Sequence, residues 1–144
     1  MNFSAELLMS NTDLGVKKFS EQEIIDFAKI NDPLAFHTDI EHAKKSIFKG
    51  LVCSGSQPFN FFYANRWIPK FGDKVIAGLS VNNWNFLAPV YANDLVSGTC
   101  LIKERRETKK HDNWVVQWKF EFYVSDKKAQ ELELTVLMVN DFKT

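Results

Sequence analysis

Between residues 113 and 125 every second side chain is apolar and mostly large: Trp114, Val116, Trp118, Phe120, Phe122 and Val124. Gln117, Lys119, Glu121 and Ser125 fall between them. Alternate residues of an extended chain point to opposite sides, so this stretch predicts a strand with one dry and one wet face. Residues 74–86, 94–107 and 130–140 read as three further strands. Turn signals separate the four at Ala88-Pro89, Tyr91-Ala92-Asn93, Lys110-His111-Asp112-Asn113 and Ser125-Asp126-Lys127. Long strands joined by short turns make an antiparallel sheet, and its dry face needs an apolar cover.

One stretch can supply that cover. Over residues 54–69, Phe59, Phe61, Phe62, Tyr63, Ala64, Trp67 and Ile68 surround nearly the whole circumference of a helix. A helix apolar all round is a buried helix. Pro58 is tolerated in a first turn, where its missing N–H costs nothing, and this puts the helix start near Gly55 or Ser56. A long antiparallel sheet wrapped around one central helix is the α+β hot-dog architecture, reached here from layer packing alone. With 144 residues, 45% of them hydrophobic, the chain suits one domain spanning 1–144 and is too short for two.

The N-terminal third is helical in pattern. Ser20-Glu21-Gln22-Glu23 has the form of a capping box, and Ile24, Phe27 and Ala28 follow at helical spacing, predicting a helix over about 21–30. Asn31-Asp32-Pro33 ends it. Thr38 or Asp39 can cap a second short helix that turns Ile40 and Ala43 inward and stops before Phe48. Residues 1–19, with Phe3, Leu7 and Leu8, read as a short extension or an edge strand.

Charge and cysteine usage narrow the function classes. Eighteen basic and eighteen acidic residues cancel, so nothing in the overall charge calls for a nucleic-acid or acidic-lipid partner. No apolar run approaches the roughly 20 residues of a membrane span, and the first ten residues lack a signal-peptide pattern. Cys53 and Cys100 are too few for a disulfide framework and fit free thiols in a reducing cytoplasm. The three histidines and two cysteines show no metal-ligand spacing, which predicts no metal site.

Two segments carry chemistry. Asp32 and His37 stand five residues apart in a proline-containing loop, where a carboxylate and an imidazole can converge as a general acid/base pair. A capping Asp beside a structural His fits the same spacing. The second segment, Gly50 to Ser56, leads into the apolar helix, and Gly55 would leave a backbone N–H open to a developing oxyanion. An unoccupied helix cap is the plainer account of that glycine. Ser54-Gly55-Ser56 lacks the first glycine of a nucleophile elbow, and Cys53 reads as packing. Lys103, Arg105, Arg106, Lys109 and Lys110 form a basic cluster interrupted by Glu104 and Glu107; solvated hairpin surface is the simpler reading, phosphate contact the other.

Several of these residues stand together in a known order. Phe27-Ala28, Asp32-Pro33-x-x-Phe36-His37-Thr38-Asp39, Ala43, Phe48-x-Gly50-Leu51, Ser54-Gly55, Phe86-x-x-Pro89-Val90 and Asp94 resemble the MaoC-like hydratase/dehydratase family. Leu34 and Ala35 depart from it, standing where many members have a polar residue and a proline. The resemblance implies a hot-dog fold, a homodimer, and reversible addition of water to a trans-2-enoyl thioester in fatty-acid metabolism. It assigns Asp32 and His37 as the catalytic pair and the Gly55 N–H as donor to the thioester carbonyl. It implies no permanently bound cofactor; coenzyme A or phosphopantetheine enters as part of the substrate. A hot-dog thioesterase and a non-catalytic acyl-binding or dimerisation module are the alternatives.

Overall fold

The computed structural model describes residues 10–139. Phe3, Leu7, Leu8 and Asn140 lie outside them. A first strand β1 (Thr12–Lys18) leads into helix α1 (Glu21–Asn31), followed by two short helices, α2 (Ala35–Thr38) and α3 (Ile40–Lys45). The central helical segment comprises α4 (Gln57–Phe62), a π-helical turn (Tyr63–Trp67) and α5 (Ile68–Phe71). A 3₁₀ turn (Gly72–Lys74) then opens the sheet strands β2 (Val75–Phe86), β3 (Leu95–Glu107), β4 (Asn113–Val124) and β5 (Lys127–Val139). The five strands form one antiparallel sheet in the order β1-β3-β4-β5-β2.

The alternation in β4 does what the sequence predicts. Trp114, Val116, Trp118, Phe120 and Phe122 are all buried, and the central helical segment lies across them. Phe62 meets Phe122 with ring centroids 5.3 Å apart, Phe71 meets Trp118 at 4.6 Å, and Trp67 meets Trp118 edge-on at 5.3 Å. Each such buried aromatic or aliphatic side chain contributes about 1.5–3 kcal/mol relative to exposure. Gly98 on β3 lets the helix come this close: a methyl group there would sit 2.9 Å from Phe62 Cδ1. The arrangement is a hot-dog fold.

The central helix differs from its sequence reading in two ways. It does not run unbroken over 54–69 but begins at Gln57 and widens into the π turn before Pro69. Pro69 has no N–H for the carbonyl four residues back, and the ladder loosens just ahead of it, with the Ile68 N–H bonding to the Tyr63 carbonyl. Nor is it covered all round. Phe62, Trp67 and Phe71 are buried against the sheet, whereas Ala64, Asn65 and Ile68 face outward.

The capping box at α1 forms as expected: Ser20 Oγ accepts from the Glu23 N–H, and Glu23 Oε1 accepts from the Ser20 N–H. Ile24 and Ala28 are then fully buried. Residues 12–18 settle as an edge strand beside β3. β5 starts at Lys127, three residues earlier than its apolar pattern suggests, because Ser125 adopts a left-handed backbone (φ 53°) and closes a tight turn with Val124 opposite Lys127. At the other edge, β2 exposes Ile76, Leu79, Val81 and Phe86.

Candidate active site

Pro33 bars Asp32 from helical geometry, so α1 stops there with Asp32 extended (φ −164°) and its N–H bonded to the Ala28 carbonyl at 2.8 Å. The stretch read as a loop then winds into the single turn of α2, which carries His37. The Leu34 side chain offers no cap to α2. Its carbonyl holds the turn instead, accepting from the His37 N–H at 2.9 Å and from Thr38 Oγ1 at 3.1 Å. Asp39 caps α3 through the His42 N–H.

His37 is buried and tied down at one ring nitrogen. Its Nδ1 lies 2.7 Å from the Val52 carbonyl oxygen, and a carbonyl can only accept, so Nδ1 carries the proton. The Val52 carbonyl is itself fixed, because residues 51–53 pair with 90–92: the Cys53 N–H bonds to Val90 O at 2.8 Å and the Ala92 N–H to Leu51 O at 3.1 Å. The turn that follows residues 90–92 and leads into β3 is held by Asn93 in the left-handed region (φ 66°) and by Asp94, whose carboxylate accepts from the Tyr91 N–H. In neutral His37, Nε2 therefore presents a lone pair, and it faces Asp32 Oδ2 at 3.3 Å. Two acceptors facing each other need a proton, or a water that donates to both.

Asp32, His37 and Gly55 line one cavity of about 530 Å³. Its walls are apolar, from Phe36, Phe48, Phe86 and Leu87 among others, which is the usual make-up of a small-molecule cleft. Gly55 lies in the turn before the cap residue Ser56, not in the first turn of α4. The Ser54 carbonyl accepts from the Gln57 N–H at 3.0 Å, and among the described residues the Gly55 N–H has no acceptor. The three residues singled out in the sequence thus share one space: a carboxylate, an imidazole and a glycine whose N–H has no acceptor among the described residues, around an apolar cleft.

Gln130 and Trp84 have no place in the sequence reading, and Phe86 enters it only within the Phe-x-x-Pro-Val pattern, with no role. Gln130 on β5 donates through Nε2 to the Gly55 carbonyl at 2.8 Å, and its Oε1 accepts from Trp84 Nε1 at 3.3 Å. Phe86 packs over Gly55. Nothing local marks Gln130 or Trp84, since the register of β2 on β5 brings them together.

The other candidates sort themselves out. Cys53 lines the cavity, but burial, with Asp94 as the next cause, pushes its thiol up to about 12, which suits packing rather than nucleophilic attack. Within the basic cluster Lys103 pairs with Glu133 at 2.7 Å and Arg105 lies over the Trp114 ring at 4.7 Å; neither borders the cavity. His111 pairs with Glu107.

Comparison with known proteins agrees with this fold. The model of the MaoC like domain matches residues 9–120. The uncharacterized protein YdeM of Bacillus subtilis is 38% identical over 79 residues, 54% of this chain and 55% of YdeM, so the match spans about half of that relative. A monoamine oxidase regulatory protein from Archaeoglobus fulgidus superposes with a TM-score of 0.84 at 21% identity, over 96% of this chain and 94% of that one. The R-hydratase PhaJ1 from Pseudomonas aeruginosa gives a TM-score of 0.73 at 16% identity, over 93% and 83% of the two chains.

Proposed function

The chain belongs to the MaoC-like domain family, and from that premise we propose that it is an acyl-thioester hydratase/dehydratase. The reaction is reversible addition of water to a trans-2-enoyl thioester of coenzyme A or of an acyl-carrier protein, giving the 3-hydroxyacyl thioester. One observation supports this reading above all: the Asp32–His37 pair and Gly55, whose N–H has no acceptor among the described residues, border the same apolar cleft.

In the hydration direction, a water donates to Asp32 and to His37 Nε2. As its oxygen bonds to C3 of the enoyl group, its proton passes to the pair. The thioester carbonyl oxygen takes on enolate charge, and the Gly55 N–H donates to it. A proton from the pair then reaches C2, which restores the starting protonation. Positioned acid/base groups of this kind contribute about 10²–10⁴-fold in rate. The acyl chain lies along the phenylalanine wall, and the coenzyme A or phosphopantetheine arm belongs to the substrate, with no permanently bound cofactor.

A homodimer completes the proposal. β2 is an edge strand whose Ile76, Leu79, Val81 and Phe86 are exposed, the pattern of a strand that a second copy covers. Cys53 and Cys100 are free and buried, which fits a reducing cytoplasm. Among the described residues no helix is long and apolar enough to cross a membrane.

Incubation with crotonyl-CoA tests the reading. Loss of the conjugated enoyl thioester absorbance without release of free thiol supports hydration. Thiol release without hydration would make the protein a thioesterase. A folded protein inert in both assays across several acyl lengths would be an acyl-binding or dimerisation module.

A further inference from the structure

Gln130 is 3% exposed and borders the cavity, with both ends of its carboxamide engaged. Its Nε2 donates to the Gly55 carbonyl at 2.8 Å, and its Oε1 accepts from Trp84 Nε1 at 3.3 Å. An indole N–H only donates and a carbonyl only accepts, so the amide satisfies both partners in one of its two orientations and opposes both in the other. Trp84 therefore decides which end of Gln130 meets Gly55.

Gly55 is where that restraint matters. Without a Cβ it has the widest choice of backbone angles in the turn. Both peptides flanking its α-carbon are pinned through their carbonyls: Ser54 O by the Gln57 N–H at 3.0 Å, and Gly55 O by Gln130. In a trans peptide the N–H points opposite the carbonyl. The first bond thus aims the Gly55 N–H, and the second keeps the following peptide from turning and dragging the glycine with it. Phe86 pairs with Gln130 across the β2–β5 register, and its ring closes the remaining side of the glycine. The last residues of β2 and the start of β5 grip the turn between them.

We infer that Gln130 is a positioning residue that holds the Gly55 N–H in register with the Asp32–His37 pair, and that Trp84 orients Gln130 for this role. The catalytic consequence rests on the thioester reading above.

Three single variants, Gln130→Leu, Trp84→Phe and Gln130→Glu, and the double variant Gln130→Leu with Trp84→Phe test it, each checked for folding by thermal melting and assayed with crotonyl-CoA. Gln130→Leu is expected to lower kcat about tenfold to a hundredfold with KM little changed, because the donor is misplaced after substrate binds. Trp84→Phe gives a smaller loss of the same kind, and the double variant is no worse than Gln130→Leu alone. Gln130→Glu carries the sharpest signature. Protonated, its carboxyl donates to Gly55 O and accepts from Trp84; ionised, it can only accept and repels the carbonyl. Its kcat relative to wild type therefore climbs as pH falls, a recovery that a merely structural role would not produce. If Gln130→Leu does not fold, the Gln130→Glu pH profile decides. A folded Gln130→Leu with wild-type kcat, or a Gln130→Glu whose relative rate ignores pH, overturns the inference.

A wild type inert toward enoyl thioesters would instead sink the thioester reading. The positioning role is then decided by the assigned Gly55 amide resonance in ¹⁵N spectra. Displacement in both Gln130→Leu and Trp84→Phe sustains it, and an unmoved resonance in the two variants overturns it.

Discussion

The ring of Phe86 closes on the α-carbon of Gly55, so tightly that a methyl group built there would meet Phe86 Cε1 at 2.6 Å and Cζ at 2.9 Å. These atoms are the far end of the Phe86 side chain, so the ring rather than the backbone can give way. Gly55→Ala is accordingly expected to cost no more than about 1–3 kcal/mol of stability while displacing the ring and the turn that carries the proposed oxyanion donor. Melting curves beside initial rates check this: a small shift in Tm with a large loss of kcat. Adding Phe86→Ala should recover part of the rate.

Gly98 presents the opposite case. Its added methyl would lie 2.9 Å from Phe62 Cδ1 and 3.2 Å from Phe122 Cδ1, inside the fully buried seam between helix and sheet. Neither ring has solvent to move into. Gly98→Ala is expected to destabilise by about 1–3 kcal/mol through overpacking, measured as a lower denaturant midpoint with unchanged slope.

The two thiols set an alkaline limit. Burial pushes Cys53 and Cys100 up to about 12 from an ordinary 9.0. Between those values the unfolded chain loses thiol protons that the folded one keeps, so stability is intact below pH 9 and falls as pH rises toward 12. Denaturant midpoints at pH 8 and pH 10.5 should differ, and less so in Cys100→Ala. Native protein at pH 8 should resist a thiol reagent that labels both cysteines once unfolded.

The edge strand β2 tests the proposed dimer. Leu79 and Val81 are about half exposed in the single chain, and a lysine at Val81 would place charge in any surface that covers them. Sedimentation should show wild type as a dimer and Val81→Lys as a folded monomer. A monomeric wild type would remove this part of the proposal.

What the sequence made visible was whatever depends on neighbours a few residues apart. The Ser20–Glu23 capping box, the alternation of Trp114 to Phe122 and the turn at Tyr91-Ala92-Asn93 are local patterns, and each forms. Asp32 and His37 were close enough in sequence for one proline-broken loop to bring them together. The grip on Gly55 was not visible, because Gln130 lies 75 residues downstream and reaches the glycine only through the β2–β5 register. The π turn at Tyr63–Trp67 was missed for a different reason: Pro69 reads as the end of a helix, yet the ladder widens to pass it. The outward face of Ala64 and Ile68 was missed because composition tells how apolar a helix is, not which side the sheet leaves bare.

The central claim is that Asp32 and His37 move a proton for water addition at the cleft shared with Gly55. Its most direct test follows crotonyl-CoA hydration by wild type, Asp32→Asn and His37→Ala, with each variant's fold confirmed. The account predicts steady loss of enoyl absorbance by wild type and a drop of about 10²–10⁴-fold in each variant. Wild-type turnover that survives both substitutions, or thiol release in place of hydration, would contradict it.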